Sequence, residues 1–231
     1  TLTVAPGGAA VEFAAPVSRL DRLELSSGGA ATVTTSVGAT PRTLITHSLE
    51  ITAGGQLDLG NNQLIINYDG ASPLNDIAAS IRTGFNPGGA HWQGDGIISQ
   101  LAASNTFMGI GFAEASDALK LSGNATALFG GAAVDATSLL VRFTRLGDAD
   151  LDGVVTFADF QRLERGLGQS GQTWSGGDFN YDGKVDSTDF KLLYDNFGKT
   201  ADLPAAAQSL PEPSPLTLMA LAALLLKRRR H

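Results

Sequence analysis

The sequence predicts a multidomain chain. Its N-terminal part reads as mainly β, a β-solenoid fragment. A small α-helical module and a C-terminal membrane helix follow. Three observations carry this: a Gly-Gly repeat in the first seventy residues, an acidic loop duplicated thirty residues apart, and an apolar run that ends in a basic cluster. Together they divide the 231 residues into a solenoid fragment (1–70), a joining α/β segment (71–146), a metal-binding module (147–199), a linker (200–210) and a tail (211–231).

The repeat sets the first element. Leu2-Thr-Val4-Ala-Pro-Gly7-Gly8 aligns with Leu23-Glu-Leu25-Ser-Ser-Gly28-Gly29 and with Leu49-Glu-Ile51-Thr-Ala-Gly54-Gly55, at spacings of 21 and 26 residues. Each copy is apolar-x-apolar, two small residues, a Gly corner, then another alternating stretch. Short strands with inward aliphatic residues and a Gly corner are what one turn of a solenoid requires. A sandwich with Gly turns is the competing reading. Glu24 and Glu50 share one repeat position and are expected to stack outward as a surface ladder.

In the joining segment, Ser72-Pro73 opens a helix, Pro being suited to a first helical position. Leu74, Ile77, Ala78 and Ile81 line one face of it. Gly84 to Ile97 is a Gly-rich loop, Ile97 to Ala103 a short helix, and Met108–Ala113 and Leu139–Phe143 are strand-like.

The duplicated loop carries the chemistry. The first copy offers Asp148, Asp150, Asp152, the carbonyl of Val154, Thr156 and Asp159; the second offers Asp178, Asn180, Asp182, the carbonyl of Lys184, Asp186 and Asp189. Oxygen donors at loop positions 1, 3, 5, 7, 9 and 12, with Gly153 or Gly183 at position 6, wrap twelve residues around one hard cation. Two Ca2+ ions are therefore expected. Acidic turns before helices are common for other reasons. Turns alone do not call for four carboxylates crowded within twelve residues, twice, where they repel one another without a cation. A strand-like stretch precedes the first loop and a Gly-rich one the second, so each unit is a loop followed by one helix. The two helices, near Phe157 to Leu167 and Thr188 to Phe197, are expected to pack antiparallel through Phe160, Leu163, Phe190 and Leu193.

A duplicated loop-helix unit with Asp at position 12 resembles the type I dockerins, over about Gly147 to Lys199. That resemblance implies a cohesin-like partner, recognised at loop positions 10 and 11. Here these are Phe157-Ala158 and Ser187-Thr188, and only the second pair matches the family's frequent Ser-Thr. A calcium-stapled structural cap is the alternative.

The chain end resembles a PEP-CTERM sorting tail: Pro211-Glu212-Pro213, the apolar run Leu216 to Leu226, then Lys227 to Arg230. The resemblance implies an exosortase-type processing enzyme, a membrane passage before processing, and an exported protein of the cell envelope, surface or exterior. Basic residues at the end are expected on the cytoplasmic side. The run gives ~17 Å of helix against ~30 Å of hydrocarbon, so snorkelling and local thinning would make up the difference. A start at Thr1 is expected to lie inside a longer precursor. The order of segments is similar to that of surface proteins of planctomycete-type bacteria, whose repeats are autotransporter-passenger-like.

Composition narrows the function. A formal charge of −7 argues against nucleic-acid binding, which favours basic patches. Twenty-eight Gly and 17% charged residues fit a small-residue β structure better than a helical enzyme. His91 beside Trp92 reads as a packed loop residue and Asp95 as a turn former; no phosphate loop, zinc spacing or nucleophile motif occurs. No catalytic residue is nominated. The expectation is a non-catalytic surface or matrix protein with a cohesin-like or surface-polysaccharide partner. The alternative is the C-terminal part of a secreted glycoside hydrolase or polysaccharide lyase.

Overall fold

The computed structural model describes residues 1–201, except 6, 8, 9, 37–39 and 53. Nine short strands come first: β1 (Leu2–Val4), β2 (Val11–Phe13), β3 (Val17–Arg19), β4 (Arg22–Leu25), β5 (Ala30–Val33), β6 (Thr43–Thr46), β7 (Ser48–Ile51), β8 (Gln56–Asp58) and β9 (Gln63–Asn67). Then follow α1 (Leu74–Phe85), β10 (Gly96–Ile98), α2 (Gln100–Ala103), β11 (Met108–Glu114), α3 (Ala115–Ala118), β12 (Ala127–Phe129), β13 (Ala132–Val134) and β14 (Ser138–Arg145). Helices α4 (Phe157–Gly166) and α5 (Ser187–Asn196) close the described chain.

The three repeats lie side by side. Leu2 pairs with Leu23 and Leu23 with Leu49, all parallel. Glu24 pairs with Glu50, and Arg22 sits between them, its guanidinium contacting both carboxylates. Leu23, Leu25, Leu44, Leu57, Leu64 and Ile65 turn inward and are buried. The corner after β8 is locked by Asn62, whose amide donates to the carbonyls of Val33, Thr34 and Leu59.

The expected class, a mainly-β solenoid fragment apart from a joining segment and a helical module, is nonetheless corrected. The chain is mixed α/β, with sheets of three, four, five and two strands and five helices among the described residues. The physical reason is that the third repeat leaves strand edges that later segments satisfy. Strand β10 adds to β8 in parallel, and β14 adds to β9 antiparallel, with β11 antiparallel outside it. The five-stranded sheet, in the order β11-β14-β9-β6-β3, thus takes strands from both sides of the expected boundary at residue 70. Ile97 and Ile98, expected in a short helix, lie in β10 for the same reason, and α2 begins only at Gln100.

Helix α1 follows Ser72-Pro73, with Ser72 Oγ accepting from the Leu74 N–H at 3.1 Å. Its Ile77 and Ile81 are buried. No helix among the described residues is long and apolar enough to cross a membrane. The expected membrane helix, and Pro211, Glu212 and Pro213 of the expected sorting tail, lie outside the described residues.

Candidate metal centre

Strand β14 delivers the chain into the first acidic loop, and a 3-10 turn at Trp174–Gly176 delivers it into the second. The Gly-rich stretch before the second loop is therefore partly ordered, a feature its glycine content concealed. Each loop ends in a helix that starts with a capping box: Thr156 with Asp159 on α4, and Asp186 with Asp189 on α5. A side-chain oxygen at the N-cap and a carboxylate at the third helical position satisfy orphan N–H groups at a helix start.

The two units brace one another. Val155, at loop position 8, donates to the Lys199 carbonyl at 3.1 Å and accepts from the Gly198 N–H at 2.8 Å. Val185, at the same position of the second loop, donates to Gln169 at 3.2 Å and accepts from Gly168 at 2.9 Å. Each loop thus pairs with the segment that follows the other unit's helix. The recurring glycines obey the same exchange. Gly147, at φ 110°, is packed against Leu193, and Gly177, at φ 107°, against Leu163. A side chain there would be strained and would strike the opposite helix.

In the first loop Asp148, Asp150 and Asp152 converge, with a carboxylate oxygen of each within 4.8 Å of the others. Asp148 is fully buried. Its Oδ2 accepts from the Thr144 hydroxyl and from the Gly153 N–H, while its Oδ1 is buried with no hydrogen-bond partner among the described residues. An unpaired carboxylate oxygen is costly to bury. Burial pushes the Asp148 carboxyl up to about 7, against the Thr144 bond and the Arg142 charge, with Asp159 and Asp152 adding to the rise. Asp159 turns its Oδ1 to the Ala149 N–H at 2.8 Å and its Oδ2 to the Thr156 N–H at 2.7 Å.

The second loop repeats the spacing and the capping, but both Asp178 oxygens are partnered, Oδ1 accepting from the Asp182 N–H at 3.1 Å and Oδ2 from the Gly183 N–H at 2.9 Å. Asp178 is also pushed up to about 7 by burial, with Asp189 and Asp182 adding to the rise. Asp189 Oδ1 accepts from Phe179 at 2.8 Å and its Oδ2 from Asp186 at 3.0 Å. Asn180 Oδ1 accepts from the Asp182 N–H at 3.0 Å, and Asp182 Oδ1 from the Lys184 N–H at 2.9 Å. The buried, mutually repelling carboxylates and the orphaned Asp148 oxygen fit a hard divalent cation, which takes oxygen ligands and stabilises their charged forms.

Sequence reasoning missed the residues that hold the loops from outside. Arg142 of β14 is half-buried, its charge facing Asp148 and Asp152, and its Nη1 donates to the Leu151 carbonyl at 2.6 Å. Trp174 Nε1 donates to the Asp148 carbonyl at 2.6 Å, and Arg82 of α1 to the Asp182 carbonyl at 3.2 Å. The one available signal was an apolar residue at loop position 4 of each copy, Leu151 and Tyr181, lying between two ligand positions where a solvated loop has no use for it.

The recognition positions point outward. Phe157, Ala158, Ser187 and Thr188 are all exposed at the starts of α4 and α5. Phe157 stacks on Phe160 at 5.6 Å, Phe160 meets Phe190 at 6.2 Å, and Phe190 meets Tyr194 at 6.2 Å, so a row of rings crosses both helices.

A groove of about 740 Å3 lies away from the loops, between β7 and α1. Its acids are already engaged in part: Glu50 holds Arg22 at 2.6 Å and Asp95 accepts from the Gly54 N–H at 3.0 Å. His91 stacks on Phe85 at 4.2 Å. The convergence of Asp150 and Asp152 on the buried Asp148 makes the loops the better functional candidate.

Residues 146–198 match the dockerin type I domain. Domains of that family bind calcium, typically dock onto cohesins and belong to extracellular or cell-surface proteins. No curated protein and no solved structure matches the chain.

Proposed function

We propose that this chain is an exported, non-catalytic surface or matrix protein whose residues 147–199 bind two Ca2+ ions and serve as an assembly module. The observation that carries the reading is the buried, unpartnered Oδ1 of Asp148 among the converging carboxylates of a loop that occurs twice. In the first loop Asp148, Asp150, Asp152, Thr156 and Asp159 supply side-chain oxygens and Val154 its carbonyl. In the second Asp178, Asn180, Asp182, Asp186 and Asp189 do so, with the carbonyl of Lys184. Calcium supplies the positive charge that lets these carboxylates stay ionised together.

Docking runs through the exposed starts of α4 and α5. Phe157 and Ala158 present an apolar pair, Ser187 and Thr188 a hydroxyl pair, so the two ends of the module differ in chemistry. The adjoining ring row gives a cohesin-like partner an apolar surface of the kind that marks interaction sites. The Pro211-Glu212-Pro213 tail supports export and exosortase-type processing on sequence grounds.

Titration calorimetry of the whole chain tests the metal reading. Two calcium-binding events are expected, and the double substitution Asp148→Ala, Asp178→Ala should remove both. Absence of heat on calcium addition to the unsubstituted chain would overturn the proposal.

A further inference from the structure

We infer that the calcium loops are also an intramolecular docking surface, and that calcium holds the module against the β-sheet body of its own chain. The inference rests on the calcium reading above and concerns a different face of the module from the exposed starts of α4 and α5.

Strand β11 is the outer edge of the five-stranded sheet. An edge strand presents N–H and C=O groups that need partners. At Ile110 both find the same one. The Tyr181 hydroxyl accepts from the Ile110 N–H at 2.9 Å and donates to the Ile110 carbonyl at 3.1 Å. Tyr181 stands at position 4 of the second loop, between ligand positions Asn180 and Asp182, with φ 61°. Its counterpart Leu151, between Asp150 and Asp152, has the same φ of 61°. Both side chains are buried.

The body is shaped to receive them. A Cβ on Gly109 would lie 2.6 Å from the Tyr181 hydroxyl, and one on Gly111 would lie 2.6 Å from Leu151 Cδ2 and 2.7 Å from Trp174 Nε1. Strand β11 therefore carries glycine where the module seats its side chains. Trp92 and Phe85 of the body close around the Tyr181 ring, at 5.5 Å and 4.8 Å between centroids.

Coupling follows from position. The residues that flank each docking side chain are proposed ligands, so the backbone that orients the ligands also orients Leu151 and Tyr181. The guanidiniums of Arg142 and Arg82 grip the carbonyls of Leu151 and Asp182 from the body side. A loop that opens when its carboxylates repel must withdraw its position-4 residue from β11.

Hydrogen exchange on the full chain, in calcium and in chelator, reads this directly, because the Ile110 amide is one of the docking hydrogen bonds. Amides of residues 108–112 should exchange about tenfold faster in chelator, while those of β4 and β6 keep their protection. Tyr181→Phe keeps the ring and removes both bonds. It should retain calcium binding by calorimetry yet lose Ile110 protection even with calcium present. Calcium binding with unchanged exchange over 108–112, or loss of protection throughout the chain in chelator, would overturn the inference. Absence of binding in the same calorimetric sample would instead sink the metal reading.

Discussion

At the scale of single residues, Asp148 and Asp178 do most to define the loops. Both have carboxyls pushed up to about 7 by burial, far above the ordinary Asp value of ~3.9. A carboxyl that holds its proton more tightly when folded favours the fold at low pH. That contribution is fully present below ~4 and is lost as pH rises towards about 7. The metal-free chain should therefore melt at progressively lower temperature between pH 4 and pH 7. Calcium needs the ionised carboxylates, so the rise in melting temperature it causes should grow over the same interval. Thermal melts in chelator and in calcium across that range check both signs; a metal-free melting temperature that climbs with pH would contradict them. The ligand set was legible because a spacing of donors with Gly at position 6 has few other uses. Thr144 and Arg142 were not legible. Their roles depend on how β14 enters the loop, and nothing in a Thr or an Arg on an alternating strand announces a partner several residues downstream.

At the scale of elements, the helix pair shows how far a repeat can be read. Starts and ends of α4 and α5 fall within a residue or so of the expected ones, since capping residues recur with the repeat. Phe160 and Phe190 do meet across the two helices, at 6.2 Å between ring centroids, but the four expected contact residues are not equally buried. Leu163 and Leu193 are buried, each facing the glycine that opens the other unit, whereas Phe160 is half-buried and Phe190 is exposed. The sequence alone could not separate them. Both pairs lie on one helical face, and which side of it is buried depends on Gly147 and Gly177, whose closeness to Leu193 and Leu163 is tertiary. Leu163→Ala or Leu193→Ala should cost ~2–5 kcal/mol, the range for a buried leucine with no room to collapse. Phe190→Ala should cost under ~1 kcal/mol, its ring lying on the surface. Calcium-saturated denaturant titrations of the three variants give the comparison. Phe190→Ala as costly as either leucine variant would move the module's core to the ring row.

At the scale of the whole molecule, the expected segments are not separable, because the five-stranded sheet draws strands from both sides of residue 70. The repeat register is local and survives inspection residue by residue: Leu2, Leu23 and Leu49 do pair. What closes the sheets is not local. Strands β10, β11 and β14 come from a stretch with no repeat, and pairing across so many residues leaves no periodic trace. The module is likewise not an appendage. Trp174 is fully buried, Tyr181 nearly so, and Arg162 of α4 reaches Asp117 of α3 at 2.8 Å from a buried position. Removing residues after 146 would leave the Ile110 backbone groups without partners and expose the Phe85 and Trp92 rings that Tyr181 covers. A truncated chain ending at Leu146 should therefore melt below the calcium-loaded full chain and bind an apolar dye that the full chain excludes. Burial of one large aromatic side chain is worth ~1.5–3 kcal/mol, and two are lost together with their hydrogen bonds, so the difference should be several degrees. Equal melting temperatures and no dye binding would mean that the sheet body owes nothing to the calcium module, and that the two merely touch.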